Sequence, residues 1–151
     1  MTLPVTLIER LAAAKQSGDY QALLDAVPYS KFLGLSARFE GDALVTTMRF
    51  AEHLIGNPAL PALHGGTVGA LLESAAIFEL LVRAETVVLP KTITLTVDYL
   101  RSGKPVDTHA RAFVTRQGRR VTNVRVEAWQ EDRGRPIAAA AAIFLVKGAQ
   151  D

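Results

Sequence analysis

The residues best suited to chemistry in this chain lie in one stretch, residues 64–76, which reads His-Gly-Gly-Thr-Val-Gly-Ala-Leu-Leu-Glu-Ser-Ala-Ala. Glu73 sits among Ala70, Leu71, Leu72, Ala75, Ala76 and Ile77. A carboxylate in such surroundings is costly unless it is paired or functional. Gly65 and Gly66 open the stretch, and glycines let a ligand approach the backbone closely. The free N–H groups of a first helical turn, with the positive end of the helix dipole, suit an oxyanion. A carboxylate and oxyanion donors together suit attack on a carbonyl.

Spacing adds a condition. Glu73 follows Gly66 by seven residues, nearly two turns, so the two share a face with Cα atoms about 10 Å apart along the axis. A reacting carbonyl needs both donor and base roughly 3 Å away. A second copy of the helix, antiparallel in a two-fold dimer, would bring its Glu73 to the first copy's Gly65 and Gly66. The spacing therefore predicts a site shared between subunits.

The element carrying these residues is predicted to be one long buried helix, because residues 64–82 are apolar nearly all round. Glu73, Ser74 and Glu79 interrupt it too often for a membrane span. Ahead of it, Val5, Ile8, Leu11 and Ala12 recur at helical spacing between Pro4 and Lys15, and Tyr20 to Val27 reads as a short helix stopped by Pro28. Phe32–Glu40 and Ala43–Phe50 read as a hairpin turning at Gly41-Asp42. A loop with Gly56, Asn57, Pro58 and Pro61 runs from Ala51 to Leu63. After the helix, Ile93, Leu95, Val97 and Tyr99 alternate with Thr92, Thr94, Thr96 and Asp98 in the cleanest strand of the chain. Strands are predicted over Asp107–Arg116 and Arg120–Glu131. Pro136–Val146 holds five consecutive alanines, which favour a helix by propensity. Its place after regular hairpins favours a strand, the reading adopted. The fold class is α+β: a curved antiparallel sheet of about six strands wraps one long central helix. Residues 1–30 form a helical extension packed on a domain of residues 31–148.

Composition narrows the function. With 151 residues, 49% hydrophobic and a formal net charge of +2, the chain has enough apolar material for one sizeable core and no marked charge for nucleic acid. It has no cysteine, which excludes disulfides and thiol chemistry. Only His53 and His109 accompany His64, so no metal site is expected. The N-terminus does not read as a secretion signal, which points to the cytoplasm.

The motif His64-Gly65-Gly66 with Glu73 nine positions after the histidine, the preceding Ile55-Gly56-Asn57-Pro58, and the later Thr94-Leu95-Thr96-Val97-Asp98-Tyr99-Leu100-Arg101 resemble the hotdog-fold acyl-CoA thioesterases, in particular their phenylacetate-degradation-type (PaaI-like) branch. The resemblance covers roughly Phe32 to Val146. It implies a hotdog fold, an acyl-CoA substrate, no cofactor beyond the CoA of that substrate, and a homodimer or dimer of dimers with the site at the dimer interface. It implies that Glu73 is the nucleophile or the general base for water, that the Gly65 N–H is the oxyanion donor, and that His64 shapes the turn or orients the substrate. Two positions depart from the family. Pro58 stands where members often carry Asn or Gln, with Asn57 one residue earlier. Ile77 stands where some carry Thr or Ser, a role that Thr92 or Thr94 could fill from the following strand.

Several residues have a structural reading beside the functional one. Asn57 suits a loop cap as well as catalysis. Arg101, Arg116, Arg119 and Arg120 could meet CoA phosphates or be ordinary turn charges. Asp98, Tyr99 and Trp129 read as strand and core residues. Leu54, Leu60, Leu63 and Ile77 are candidate pocket liners, with Gly66 beside them. Two other functions fit the same motif. One is an acyl-thioester hydratase or dehydratase, which would need a catalytic histidine. The other is a non-catalytic acyl-CoA sensor, for which the N-terminal helices lack a basic face.

Overall fold

A computed structural model of the chain describes residues 5–84 and 89–146. Its centre is helix α4, Gly65–Arg83, which buries Val68, Leu71, Leu72, Ala75, Ala76, Phe78, Leu80 and Leu81. The helix begins where it does because His64 caps it: the ring Nδ1 accepts the Gly66 N–H at 2.9 Å. By length and hydropathy α4 would pass for a membrane span. The sheet wrapped around it accounts for its apolarity.

Six strands form that sheet: β1 (Leu35–Glu40), β2 (Ala43–Met48), β5 (Lys91–Tyr99), β6 (Thr108–Gln117), β7 (Val121–Trp129) and β8 (Ala138–Leu145). Their order is β1-β2-β6-β7-β8-β5, and every neighbouring pair is antiparallel. The alanine run is a strand, as hairpin order predicts and propensity does not. It is hydrogen-bonded on both sides, to β7 and β5. Ala138, Ala140 and Ala142 are buried, and their small size lets α4 lie close against the sheet.

β5 is an edge strand with a bulge, since Thr92 pairs with Phe144 but Thr94 with Ile143, leaving Ile93 over. Residues directly opposite each other share a face. Phe144, Ala142, Ala140 and Ala138 are all buried on the helix side. Their partners Thr92, Leu95, Val97 and Tyr99 therefore share that side. Without the bulge Thr92 would point the other way, with Thr94.

The lead-in is built differently from its sequence reading. Beside α1 (Val5–Ser17) and α2 (Gln21–Asp25) there is a third helix, α3 (Pro28–Leu33). Pro28 opens α3 rather than only stopping α2, and Gly34, at φ 67°, ends it. The first strand thus begins at Leu35, and Phe32 is on α3, 54% exposed. Leu11, Ala14, Leu23, Leu24 and Leu33 belong to the same buried cluster as α4 and the sheet, so these helices contribute core. The stretch expected as loop contains a two-stranded ribbon, β3 (Ile55–Asn57) with β4 (Ala62–Leu63). It hands the chain to His64.

Candidate active site

The ribbon fixes the entry to α4. His64 N–H donates to Leu54 O at 2.8 Å, and Leu63 N–H to Gly103 O at 3.0 Å. Gly56 lies so close to the cap that a Cβ there would stand 2.7 Å from His64 Cα. Only glycine fits this approach.

The first turn of α4 divides its polar groups sharply. His64 O accepts the Thr67 N–H at 3.0 Å and the Thr67 hydroxyl at 2.6 Å. The Gly66 N–H is taken by His64 Nδ1, so Gly66 is not the free donor expected of it. Among the described residues, the Gly65 N–H has no acceptor. Because Nδ1 accepts, neutral His64 carries its proton on Nε2. Its geometry is that of a turn former. The Gly65 carbonyl is held by Tyr99, whose hydroxyl donates to it at 2.7 Å.

Beside this turn is a cleft of about 380 Å³ lined by Ala62, Leu63, Gly65, Val68, Tyr99, Leu100, Arg101, Ser102, Gly103 and Ile137. The apolar wall suits an acyl chain, and the Gly65 N–H at its border suits the oxygen of a carbonyl. Arg101 borders the cleft and is anchored by a bond from its Nη1 to Pro136 O at 2.5 Å.

Glu73 does not border this cleft. It is half-buried, and among the described residues no hydrogen bond or ion pair engages it. α4 runs antiparallel to β5: a Cβ on Gly65 would touch the Tyr99 ring, and one on Gly69 would touch Tyr99 Oη and Val97. Four helical residues advance about 6 Å and two strand residues about 6.6 Å. Of the two candidate threonines, Thr92 is on the helix side of the sheet and Thr94 on the outer side.

The other candidates fall in different places. Asn57 caps its own loop, with Oδ1 accepting the Ala59 N–H at 3.0 Å. Leu54 is fully buried core, not a pocket wall, because η1 (Glu52–Leu54) turns it inward. Leu60 is 67% exposed and outside the cleft, while Leu63 lines it. Ile77 is half-buried one turn beyond Glu73. Arg116, Arg119 and Arg120 lie at the β6–β7 turn, at the Lys91 end of β5. That is about 25 Å along the strand from Arg101, so one chain does not bring the four arginines together.

The sequence reading placed Tyr99 in the core, whereas it is 57% exposed at the cleft. A signal was there: a phenol at the end of an otherwise aliphatic strand face needs a polar partner.

Residues 56–145 match the model of the acyl-CoA thioesterase N-terminal domain family. The chain belongs to the acyl-CoA thioesterase family. Family membership makes it a thioester hydrolase, and the matched span runs from Gly56 through the whole of α4 and the four strands that follow. The medium/long-chain acyl-CoA thioesterase YigI of Escherichia coli is 31% identical over 134 residues, covering 80% of this chain and 86% of that protein. A crystal structure of a Chromobacterium violaceum protein superposes with a TM-score of 0.77 at 36% identity, covering 93% of this chain and 98% of that one. A putative thioesterase of Ralstonia eutropha, described as phenylacetic acid degradation-related, gives 0.72 at 25% identity over 84% of this chain and 98% of that one. The hotdog architecture expected from the motif is the one observed.

Proposed function

We propose that the chain hydrolyses medium-chain or aromatic acyl-CoA to the free acid and CoA, at a site completed by a second copy of itself. One observation carries this reading. Glu73, half-buried and unengaged among the described residues, lies on the helix whose first N–H is also unengaged, yet it does not border the cleft that Gly65 lines. The edge strand β5 supports the second copy: Thr92, Ile93 and Thr94 are exposed on it, and no strand among the described residues pairs with its outer edge. A long open edge of this kind is a template for pairing with another chain. Antiparallel edge pairing would lay two α4 helices side by side, with each Glu73 toward the other copy's Gly65.

In this site the thioester oxygen accepts the Gly65 N–H. Water attacks the carbonyl carbon and its proton goes to Glu73. The C–S bond then breaks, CoA leaves as thiolate and the acid is released. The alternative course, attack by Glu73 itself, ends in the same products after water opens the anhydride. The acyl chain lies along Leu63, Val68 and Ile137. The name of the Escherichia coli relative supports the medium-chain end of the range. A hydratase would need His64 as a proton carrier, and with Nδ1 taken by the Gly66 N–H only its Nε2 is left for that role.

Thiol release from a panel of short, medium, long and aromatic acyl-CoAs tests the proposal. Wild type should turn over the medium-chain or aromatic members. Glu73→Gln should lose about a hundredfold or more in kcat while still binding acyl-CoA. Firm binding with no turnover by wild type would instead indicate a sensor. Equal turnover by the two proteins would remove Glu73 from the chemistry.

A further inference from the structure

Gly65 joins two peptide planes, and glycine by itself restrains neither. The plane before it has His64 O at one pole, tied to Thr67 N–H and hydroxyl, and the Gly65 N–H at the other. The plane after it has Gly65 O at one pole, tied to the Tyr99 hydroxyl at 2.7 Å. Its other pole, the Gly66 N–H, is tied to His64 Nδ1 at 2.9 Å. Three of the four poles around this Cα are fixed, and the fourth is the N–H proposed to meet the oxyanion. The Tyr99 ring also lies where a side chain on Gly65 would be, with Cζ 3.2 Å from an ideal Cβ.

We propose that Tyr99 is a positioning residue for the oxyanion donor: with His64 it clamps the Gly65–Gly66 peptide from both poles and so fixes the angle of the Gly65 N–H. The proposal rests on the hydrolase reading above. A donor helps the transition state only if it is aimed before charge develops. Loss of the Tyr99 hydroxyl leaves Gly65 O to its helical bond from the Gly69 N–H alone, which loosens that pole of the plane and widens the range of both glycine dihedrals. The ring, still packed on the turn, keeps the cleft wall in place. The effect should therefore fall on turnover and not on substrate binding.

Tyr99→Phe, assayed with octanoyl-CoA, should lower kcat about tenfold, a fraction of the effect of deleting a donor outright. KM should stay within about twofold, the signature of a contact that matters only in the transition state, and the melting temperature should be that of wild type. Because His64 and Tyr99 hold the same plane, the double variant Tyr99→Phe with His64→Ala should cost no more than the worse single variant. Wild-type kcat in Tyr99→Phe, a loss carried by KM, or a double variant whose losses multiply would overturn the clamp. A wild-type protein that releases no thiol from any acyl-CoA would overturn the hydrolase reading and the clamp with it. An active wild type with an indifferent Tyr99→Phe would overturn the clamp alone.

Discussion

Two glutamates on α4 show how environment separates their roles. Glu79 accepts the Arg83 Nε at 2.9 Å in an i,i+4 pair, and Arg83 in turn reaches Asp42 O and covers the Phe39 ring. Glu79 is spoken for structurally. Glu73, six residues earlier, has no such engagement among the described residues. At the other end of the pair, Gly65 offers a clean deletion. It is the first residue of the helix, where proline is well tolerated, and His64 at ψ 128° already has the extended backbone that precedes a proline. Gly65→Pro therefore removes the N–H and keeps the helix, with the exposed Tyr99 ring yielding a few tenths of an ångström. We expect kcat to fall about a hundredfold or more with the helical circular dichroism unchanged. Turnover near wild type would mean that another group holds the oxyanion. At this scale the sequence singled out Glu73 and Gly65 by type and spacing as the residues proposed for the chemistry. It could not show that the Gly66 N–H is consumed, because a histidine ring that reaches back to its own turn leaves no trace in spacing. Nor could it choose between Thr92 and Thr94, since a bulge of one residue at Ile93 reverses which of them faces the helix.

Among the elements, the long ones were legible, as was the short helix α2 ahead of Pro28, but the other short ones were not. α4 and β5 announced themselves by sustained periodicity, and β8 by its place in a series of hairpins despite its alanines. α3 and the β3–β4 ribbon, at six, three and two residues, are too short for any period to develop. They follow from local chemistry: a proline start and a left-handed glycine for one, a close approach of Gly56 to His64 for the other. The contact between β2 and β6 has four registered pairs and carries a titratable group. The His109 Nδ1 is bonded to the Thr47 hydroxyl at 2.8 Å, and the ring lies against Trp129. Burial, and then the charge of Arg38, hold its pKa below histidine's ordinary 6.5, against the weaker pull of Asp107 and Glu40. The folded chain thus refuses a proton that the unfolded chain accepts. Its stabilising contribution is complete above 6.5 and is lost as pH falls through the folded value. Glu40, held low chiefly by its bond from Arg38, loses its contribution only in a separate window below 4.5. Melting temperature should accordingly drop as pH is lowered below 6.5. His109→Gln should flatten most of that slope, and an unchanged slope in the variant would assign it to other groups.

For the whole molecule, the sheet has two different ends. β1 is flanked by α2 and α3 and carries the Arg38–Glu40 pair at 2.7 Å. β5 lies open, with Ile93 56% and Tyr99 57% exposed. The open end is also the end where the cleft, the Gly65 turn and Thr92 lie, so a second copy seated there would both close the edge and complete the site. Complementation measures this directly. In a two-fold dimer of Glu73→Gln with Gly65→Pro, one site combines the intact Glu73 of one copy with the intact Gly65 of the other. The second site carries both defects. Unfolding and refolding an equal mixture of the two nearly inactive variants should restore about a quarter of wild-type turnover, since half the dimers are mixed and each has one good site. A mixture that stays at the activity of the separate variants, although mixed dimers have formed, would contradict a shared site and return Glu73 and Gly65 to a single chain.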